Sequence, residues 1–244
     1  MKHYIITRFN VGNPRRNRND VKWNNNRYKL LMKYTYKSLR CQTNPKFSWI
    51  LLLNRNRTTP ELEEKLRALK SILIFYEERP GISLRKYLNK HVRAQELITT
   101  RLDSDDCIYK TFVAKVQENA RQLIERPIVI DFPRGITYRN GNTGYLGLKY
   151  TTPFLSFVES HNSKGGWKTC YIARHANMGK QFQTKKVTCI EPMWAQVIHG
   201  GNVSNVFRRN ITQVTLSHYG ISYEKLRTNP IQRQKPRRKG KRRR

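Results

Sequence analysis

Glu96-Leu97-Ile98-Thr99-Thr100-Arg101-Leu102-Asp103-Ser104-Asp105-Asp106 is the stretch on which the reading of this chain turns. Its first seven residues are rich in aliphatic and β-branched side chains and predict a strand. The carboxyl end of that strand delivers three carboxylates within four residues. Phe112, Val113, Val116, Ala120, Leu123 and Ile124 then recur at helical spacing. Strand, acidic turn and helix together make a βα unit, and open α/β sheets bind ligands beyond the carboxyl ends of their strands.

The same alternation repeats earlier in the chain. Tyr4-Ile5-Ile6 is strand-like and ends in Thr7-Arg8-Phe9-Asn10. The Gly/Pro/Asn/Arg-rich segment Gly12 to Asn26 predicts an irregular exposed loop. Tyr28, Leu31, Thr35 and Leu39 predict a helix over roughly 25–40, and Trp49 to Leu53 a short buried strand. Thr58-Thr59-Pro60-Glu61 opens a helix with a hydroxyl cap, an early proline and an acid. Ile72 to Tyr76 is a further strand and Leu84 to His91 a short helix. Four alternations of this kind predict an α/β sheet with parallel neighbours.

Beyond Pro127 the pattern changes to short strands separated by turn residues: Ile128 to Asp131, Gly135 to Arg139, Gly144 to Tyr150, Phe154 to Val158, Cys170 to Ala173 and Trp194 to Ile198. A helix is expected at Asn210 to His218. Residues 1–228 therefore read as one domain, with a first half over 1–126 and a mixed-β second half over 127–228. Residues 229–244 form a basic tail with little to bury, expected to be disordered.

Charge is the extreme term of the composition. Forty-nine Lys and Arg oppose 16 Asp and Glu, a formal +33. Nine of the basic residues lie in 233–244, and the first 232 residues still carry +24. Such a field attracts phosphates on nucleic acid, an anionic surface or a nucleotide. Arg8 to Arg40, interleaved with Trp23, Tyr28, Tyr34 and Tyr36, adds to that footprint. The aliphatic run Ile50 to Leu53 is far short of the roughly 20 apolar residues of a membrane span. The amino terminus lacks the pattern of a secretory signal, so a cytoplasmic location is expected, the host cytoplasm if the protein is viral. Cys41, Cys107, Cys170 and Cys189 have neither metal nor disulfide spacing and read as buried thiols.

Against this basic background the acidic island stands out. Three adjacent carboxylates repel one another unless a cation neutralises them, and oxygen ligands of this kind suit a hard divalent metal. The plainer account makes Asp106 a cap for the following helix, Asp103 a turn former and Asp105 a solvated residue. His199 closes the apolar strand Trp194 to Ile198 and precedes the sharp turn Gly200-Gly201-Asn202.

Four segments taken in order carry a resemblance: Ile5-Ile6-Thr7-Arg8-Phe9-Asn10, Phe47-Ser48-Trp49-Ile50-Leu51, Ile98 through Asp106, and Trp194-Ala195-Gln196-Val197-Ile198-His199-Gly200-Gly201-Asn202. Over residues 3–206 the chain resembles the rhamnosyltransferase family of bacteria and their phages, which is similar to glycosyltransferases of the A-type (GT-A) fold. The resemblance implies a Rossmann-related nucleotide-binding half with a mixed central sheet, carrying a DxD-type motif, and an acceptor half. It implies a nucleotide-sugar donor and a divalent cofactor, Mn²⁺ or Mg²⁺, held by Asp103, Asp105, Asp106 and His199. Thr7, Arg8 and Asn10 would line the nucleotide pocket, Arg101 would meet the diphosphate, and Asp103 would stand near the ribose or metal.

Sugar transfer also needs a group that takes the acceptor's proton. Glu159, Glu191 and Asp131 are the candidates, Glu159 favoured because Gly165-Gly166-Trp167 could shape an acceptor loop. The basic surface predicts that the acceptor, or the surface where it resides, is polyanionic: modified phage DNA on one side, an anionic membrane or an acidic surface glycan on the other. The alternative from another class is a non-enzymatic nucleic-acid-binding or virion-associated protein. A metal-dependent nuclease ranks third, because no carboxylate–Lys pattern completes a two-metal site.

Overall fold

The computed structural model describes residues 1–10, 21–77, 79–161, 165–200, 207 and 214–222. Most of the expected loop at 12–26, the Gly201-Asn202 turn, residues 210–213 of the expected late helix and the basic tail lie outside them.

β1 (Lys2–Arg8) is followed by α1 (Val21–Leu30), a π-helical turn (Leu31–Thr35) and α2 (Tyr36–Arg40). Residues 21–26, expected as loop, are thus helical. β2 (Ser48–Asn54), α3 (Pro60–Arg67), β3 (Ile72–Tyr76), α4 (Pro80–His91) and β4 (Glu96–Arg101) complete the alternating part. Thr59 caps α3 by accepting from the Leu62 amide, with Pro60 in the first turn. Then come β5 (Cys107–Ile108), α5 (Phe112–Gln122), β6 (Ile128–Asp131), β7 (Arg134–Arg139), β8 (Asn142–Gly147), β9 (Ser156–Ser160), α6 (His175–Gln181), β10 (Thr184–Lys186) and β11 (Trp194–Val197).

Seven strands form one sheet in the order β10-β6-β9-β4-β1-β2-β3. β1 to β4 are parallel, while β9 runs antiparallel between β4 and β6. Strands from both halves of the sequence therefore share one mixed sheet. A second sheet, β5-β11-β7-β8, stands beside it. Gly135 in β7 is required there, because a Cβ at that position would lie 2.1 Å from the Trp194 ring.

Alternation along the strands divides the core in two. Ile5, Leu51, Leu53 and Ile98 point to one face and pack with Leu62 and Leu66 of α3, Val113 and Val116 of α5, and the small sheet. Ile6, Ile50, Leu52 and Leu97 point to the other and pack with Leu84 and Leu88 of α4 and Met178 of α6.

Several short elements differ from expectation. Cys170 to Ala173 is not a strand: the Cys170 amide donates to Thr99 Oγ1 at 2.8 Å and the Ile172 amide to the Thr169 carbonyl, which turns the chain. The strand expected at 154–158 is displaced to β9, and Leu216–Tyr219 is a 3₁₀ turn. β5, β10 and α6 carry too few apolar residues to show a period.

Candidate functional site

β1 and β4 pair in parallel and stop at the same edge of the sheet, at Arg8 and Arg101. The Leu102 amide extends the pairing by donating to the Ile6 carbonyl at 3.1 Å. The chain then turns through the acidic cluster, closed by the Asp106 amide on the Asp103 carbonyl at 3.2 Å. Thr35, the buried last residue of the π-helical turn, holds its hydroxyl 3.2 Å from the Asp103 carbonyl and 2.9 Å from that of Asp106. Departures from the α-helical repeat of this kind are frequent at functional sites.

β5 leaves the cluster and pairs antiparallel with β11, Ala195 opposite Cys107. That pairing is what carries His199 to the acidic turn. His199 Nε2 lies 2.8 Å from Asp105 Oδ2, and Arg27 Nη1 of α1 lies 3.0 Å from the same oxygen. The second arm of the Arg27 fork donates to Ser104 Oγ. Burial alone would raise the Asp105 carboxyl, but the His199 hydrogen bond and the Arg27 charge outweigh it and hold it below its ordinary value.

The neighbouring carboxylates point elsewhere. Asp103 Oδ1 faces Arg8 Nη2 at 3.4 Å, and both side chains are about one-third exposed. Asp106 turns inward and accepts from the Val197 amide at 2.9 Å. Burial first, then the charges of Asp105 and Asp103, push the Asp106 carboxyl well above the ordinary range. Asp106 therefore does not cap α5, which starts at Phe112 after Thr111.

Arg101 is 5% exposed and forms no ion pair among the described residues. Its guanidinium carbon lies 4.8 Å from the centroid of the Tyr171 ring, and that of Arg8 lies 5.3 Å from the same centroid. Tyr171 is fixed by its hydroxyl on the Ile6 carbonyl at 3.3 Å. Burial pushes its phenol up to about 12. His175, at the start of α6, is lowered to about 4 by burial and by the Arg101 charge, and so is neutral near pH 7. Arg27, Tyr171 and His175 were not singled out by the sequence.

Other expected site residues are turned to structural work. Thr7 is fully buried and accepts from Trp49 Nε1 at 3.0 Å. Asn10 accepts from the Asn54 amide at 2.7 Å and donates to Thr58 Oγ1 at 3.1 Å, bracing the segment after β2. Glu159 pairs with Leu97 in register, near the amino end of β4 and so across the sheet from the acidic turn. Its carboxylate accepts from the Lys168 and Thr169 amides at 2.7 and 2.9 Å. Glu191 is exposed in the segment before β11. Asp131, last residue of β6, does stand at the edge where β4 ends. It is fully buried there, its Oδ1 accepting from the Thr152 amide and hydroxyl.

The expected Mn²⁺ or Mg²⁺ does not fit these residues as they are arranged. A hard cation needs several oxygens converging with free lone pairs. Here the three carboxylates diverge onto Arg8, onto Arg27 with His199, and onto the Val197 amide. Among the described residues no group of three His, Cys, Asp or Glu side chains could hold a metal ion.

Arg8 and Arg101 thus gather over one aromatic ring where the parallel strands β1 and β4 end, beside an acidic turn, in a mixed α/β protein. A family model described as "Putative rhamnosyl transferase" matches residues 11–210, and the chain belongs to that family. No curated protein matches. Among solved structures, S. aureus TarS in complex with UDP-GlcNAc is similar at a TM-score of 0.48 and 12% identity, covering 83% of this chain and 60% of that one. A longer TarS structure gives 0.45 and 14%, covering 81% and 37%. The inositol-1-phosphate CTP transferase of T. maritima gives 0.39 and 12%, covering 84% and 92%. The chain spans between 37% and 61% of the TarS chains it matches. The family match, and not these distant folds, is what places the chain.

Proposed function

We propose that the chain transfers a sugar from a nucleotide-sugar donor to an acceptor hydroxyl, binding the donor diphosphate over Arg8 and Arg101. The observation that carries this reading is Arg101, a guanidinium 5% exposed at the carboxyl edge of β4 and free of ion pairs among the described residues. A buried cation without a counter-charge is stabilised by an anionic ligand, and planar guanidiniums suit phosphate oxygens. When the bond between sugar and phosphate breaks, negative charge grows on the departing nucleoside diphosphate. Cations fixed in advance at that place stabilise the charge as it forms. Asp103, the more open carboxylate of the turn, stands beside Arg8 where a ribose hydroxyl could meet it. The family's name makes rhamnose or another hexose the natural first donor to test.

The acceptor half supports a polyanionic acceptor. Lys149, Lys168, Arg174, Lys180, Lys185 and Lys186 are exposed, whereas Asp131 and Glu159 are buried and bound to backbone. Modified DNA and an acidic glycan both suit such a surface. The non-enzymatic reading is weakened because the acidic cluster, which it would explain as a helix cap, is instead tied to β11 and α1.

A donor-hydrolysis screen across nucleotide sugars tests the activity, since transfer to water should proceed slowly without acceptor. A panel of nucleoside diphosphates in a thermal-shift assay tests the site. Stabilisation lost in Arg101→Met supports the proposal; no stabilisation by any diphosphate overturns it.

A further inference from the structure

From the geometry of Arg27 we infer that this chain supplies its own cation at the acidic turn, so that the donor diphosphate binds without a divalent metal. The inference rests on the donor reading above and specifies the charge that serves it. It departs from the cofactor that the resemblance implies.

The first support is position. Arg27 reaches from α1 with its side chain 16% exposed, against an Asp105 side chain that is 12% exposed. One arm of its fork is 3.0 Å from Asp105 Oδ2 and the other is on Ser104 Oγ, so the guanidinium spans two consecutive residues of the turn. His199, the residue expected to complete a metal site, gives its Nε2 to the same carboxylate oxygen at 2.8 Å. Two nitrogens, Arg27 Nη1 and His199 Nε2, already lie within hydrogen-bond distance of the oxygen that a metal would use.

The second support is that the helix grips the turn twice. Eight positions after Arg27, Thr35 holds the carbonyls of Asp103 and Asp106. A guanidinium brought in by a helix already fastened to its target loses little freedom when it pairs, unlike a surface ion pair.

The third is the charge presented to a ligand. Asp106 turns onto the Val197 amide and away from the edge. Beside the turn, the described residues then set three guanidiniums, Arg8, Arg27 and Arg101, against two carboxylates, Asp103 and Asp105, Asp131 being buried on Thr152. An acidic cluster facing a diphosphate needs an added cation to avoid repulsion; this edge already carries positive excess. A divalent ion on Asp105 Oδ2 would have to displace Arg27, and the neighbouring carboxylate Asp103 already has the Arg8 guanidinium at 3.4 Å.

Two measurements on the full chain test the inference separately from the donor reading. In the first, free Mn²⁺ is followed by its solution EPR signal, with no nucleotide present. Excess wild-type protein should leave the signal unchanged, and Arg27→Gln, checked for fold by circular dichroism, should bind Mn²⁺ about tenfold more tightly or better. Stoichiometric Mn²⁺ uptake by the wild type, lost in Asp105→Asn, overturns the inference. So does a folded Arg27→Gln that still takes up no Mn²⁺. Should Arg27→Gln fail to fold, the wild-type and Asp105→Asn titrations decide.

In the second, stabilisation by uridine, thymidine, guanosine and cytidine diphosphates is compared in EDTA and in Mn²⁺. Equal shifts support the inference. A shift that requires Mn²⁺ overturns it while the donor reading stands. If no diphosphate binds under either condition, the donor reading fails, and the Mn²⁺ titration alone decides whether Arg27 holds the cation's place.

Discussion

Asp105 and His199 lie 94 residues apart in sequence and 2.8 Å apart in space. A two-residue strand makes this possible: β5 begins directly after the acidic turn and pairs with β11, whose end is two residues before His199. The segment that closes the second sheet therefore also completes the electrostatics of the first.

Arg101→Met should weaken nucleoside diphosphate binding by 10- to 100-fold, equivalent to the ~1.5–3 kcal/mol of a hydrogen bond to a charged group. The fold should persist, because Arg101 has no ion pair to lose among the described residues. Titration calorimetry gives the first number and thermal unfolding the second. Unchanged affinity would move the donor site elsewhere.

Glu159→Gln should separate support from chemistry. The carboxylate accepts two backbone amides, and the Gln side chain offers one oxygen where two are used. A stability loss of about 1–3 kcal/mol is expected, with diphosphate affinity unchanged. A stable variant with turnover lost would instead restore Glu159 to the reaction.

Thr35→Val keeps the shape of the side chain and removes the hydroxyl that serves two carbonyls of the acidic turn. The loss of stability should be about 1–2 kcal/mol. Because the same turn carries Asp103 and Asp105, diphosphate affinity should fall with it, and denaturant unfolding run beside a binding titration shows whether the two move together.

His3 supplies a pH dependence. Gln117 Nε2 donates to its Nδ1 at 3.3 Å, so His3 Nε2 carries the proton and donates to Thr100 Oγ1 at 2.8 Å. Burial lowers its pKa to about 3, against 6.5 for the unfolded chain. Between those values the unfolded chain binds a proton that the folded chain refuses, so stability falls as pH drops from about 6.5 toward 3. His175, lowered to about 4, acts in the same direction. His3→Gln should flatten the slope of unfolding free energy over that window; a slope identical to wild type would remove His3 as its source.

What the sequence revealed follows from where information is local. β4 and its three acids were legible because an apolar run ending in carboxylates shows both a strand and its exit. His199 was legible because it closes another such run. Arg27 falls within the helix expected over 25–40 but carries no local mark of a role, since its partners at Ser104 and Asp105 are 77 and 78 residues away in sequence. Tyr171 sits in a segment that looks extended and is turned by side-chain bonds from Thr99 and Thr169. Glu159 misled for a further reason. A short strand read alone does not declare which way it runs, and β9 runs opposite to β4, which carries its last residues to the far edge.

β9 lies between β4 and β6, so the middle of the large sheet is completed by a strand that arrives some 55 residues after its neighbour β4. A ribosome that has released only residues 1–126 has made β4 with one long side unpaired. That side is a template for any passing strand until β9 emerges. The seam at 127 marks a change in the pattern of the chain but not a place where it can be cut: fragments split there should aggregate apart and regain solubility only when co-expressed. Nor can the two halves swing on a hinge to admit and release a donor, since the sheet's own hydrogen bonds run across the seam.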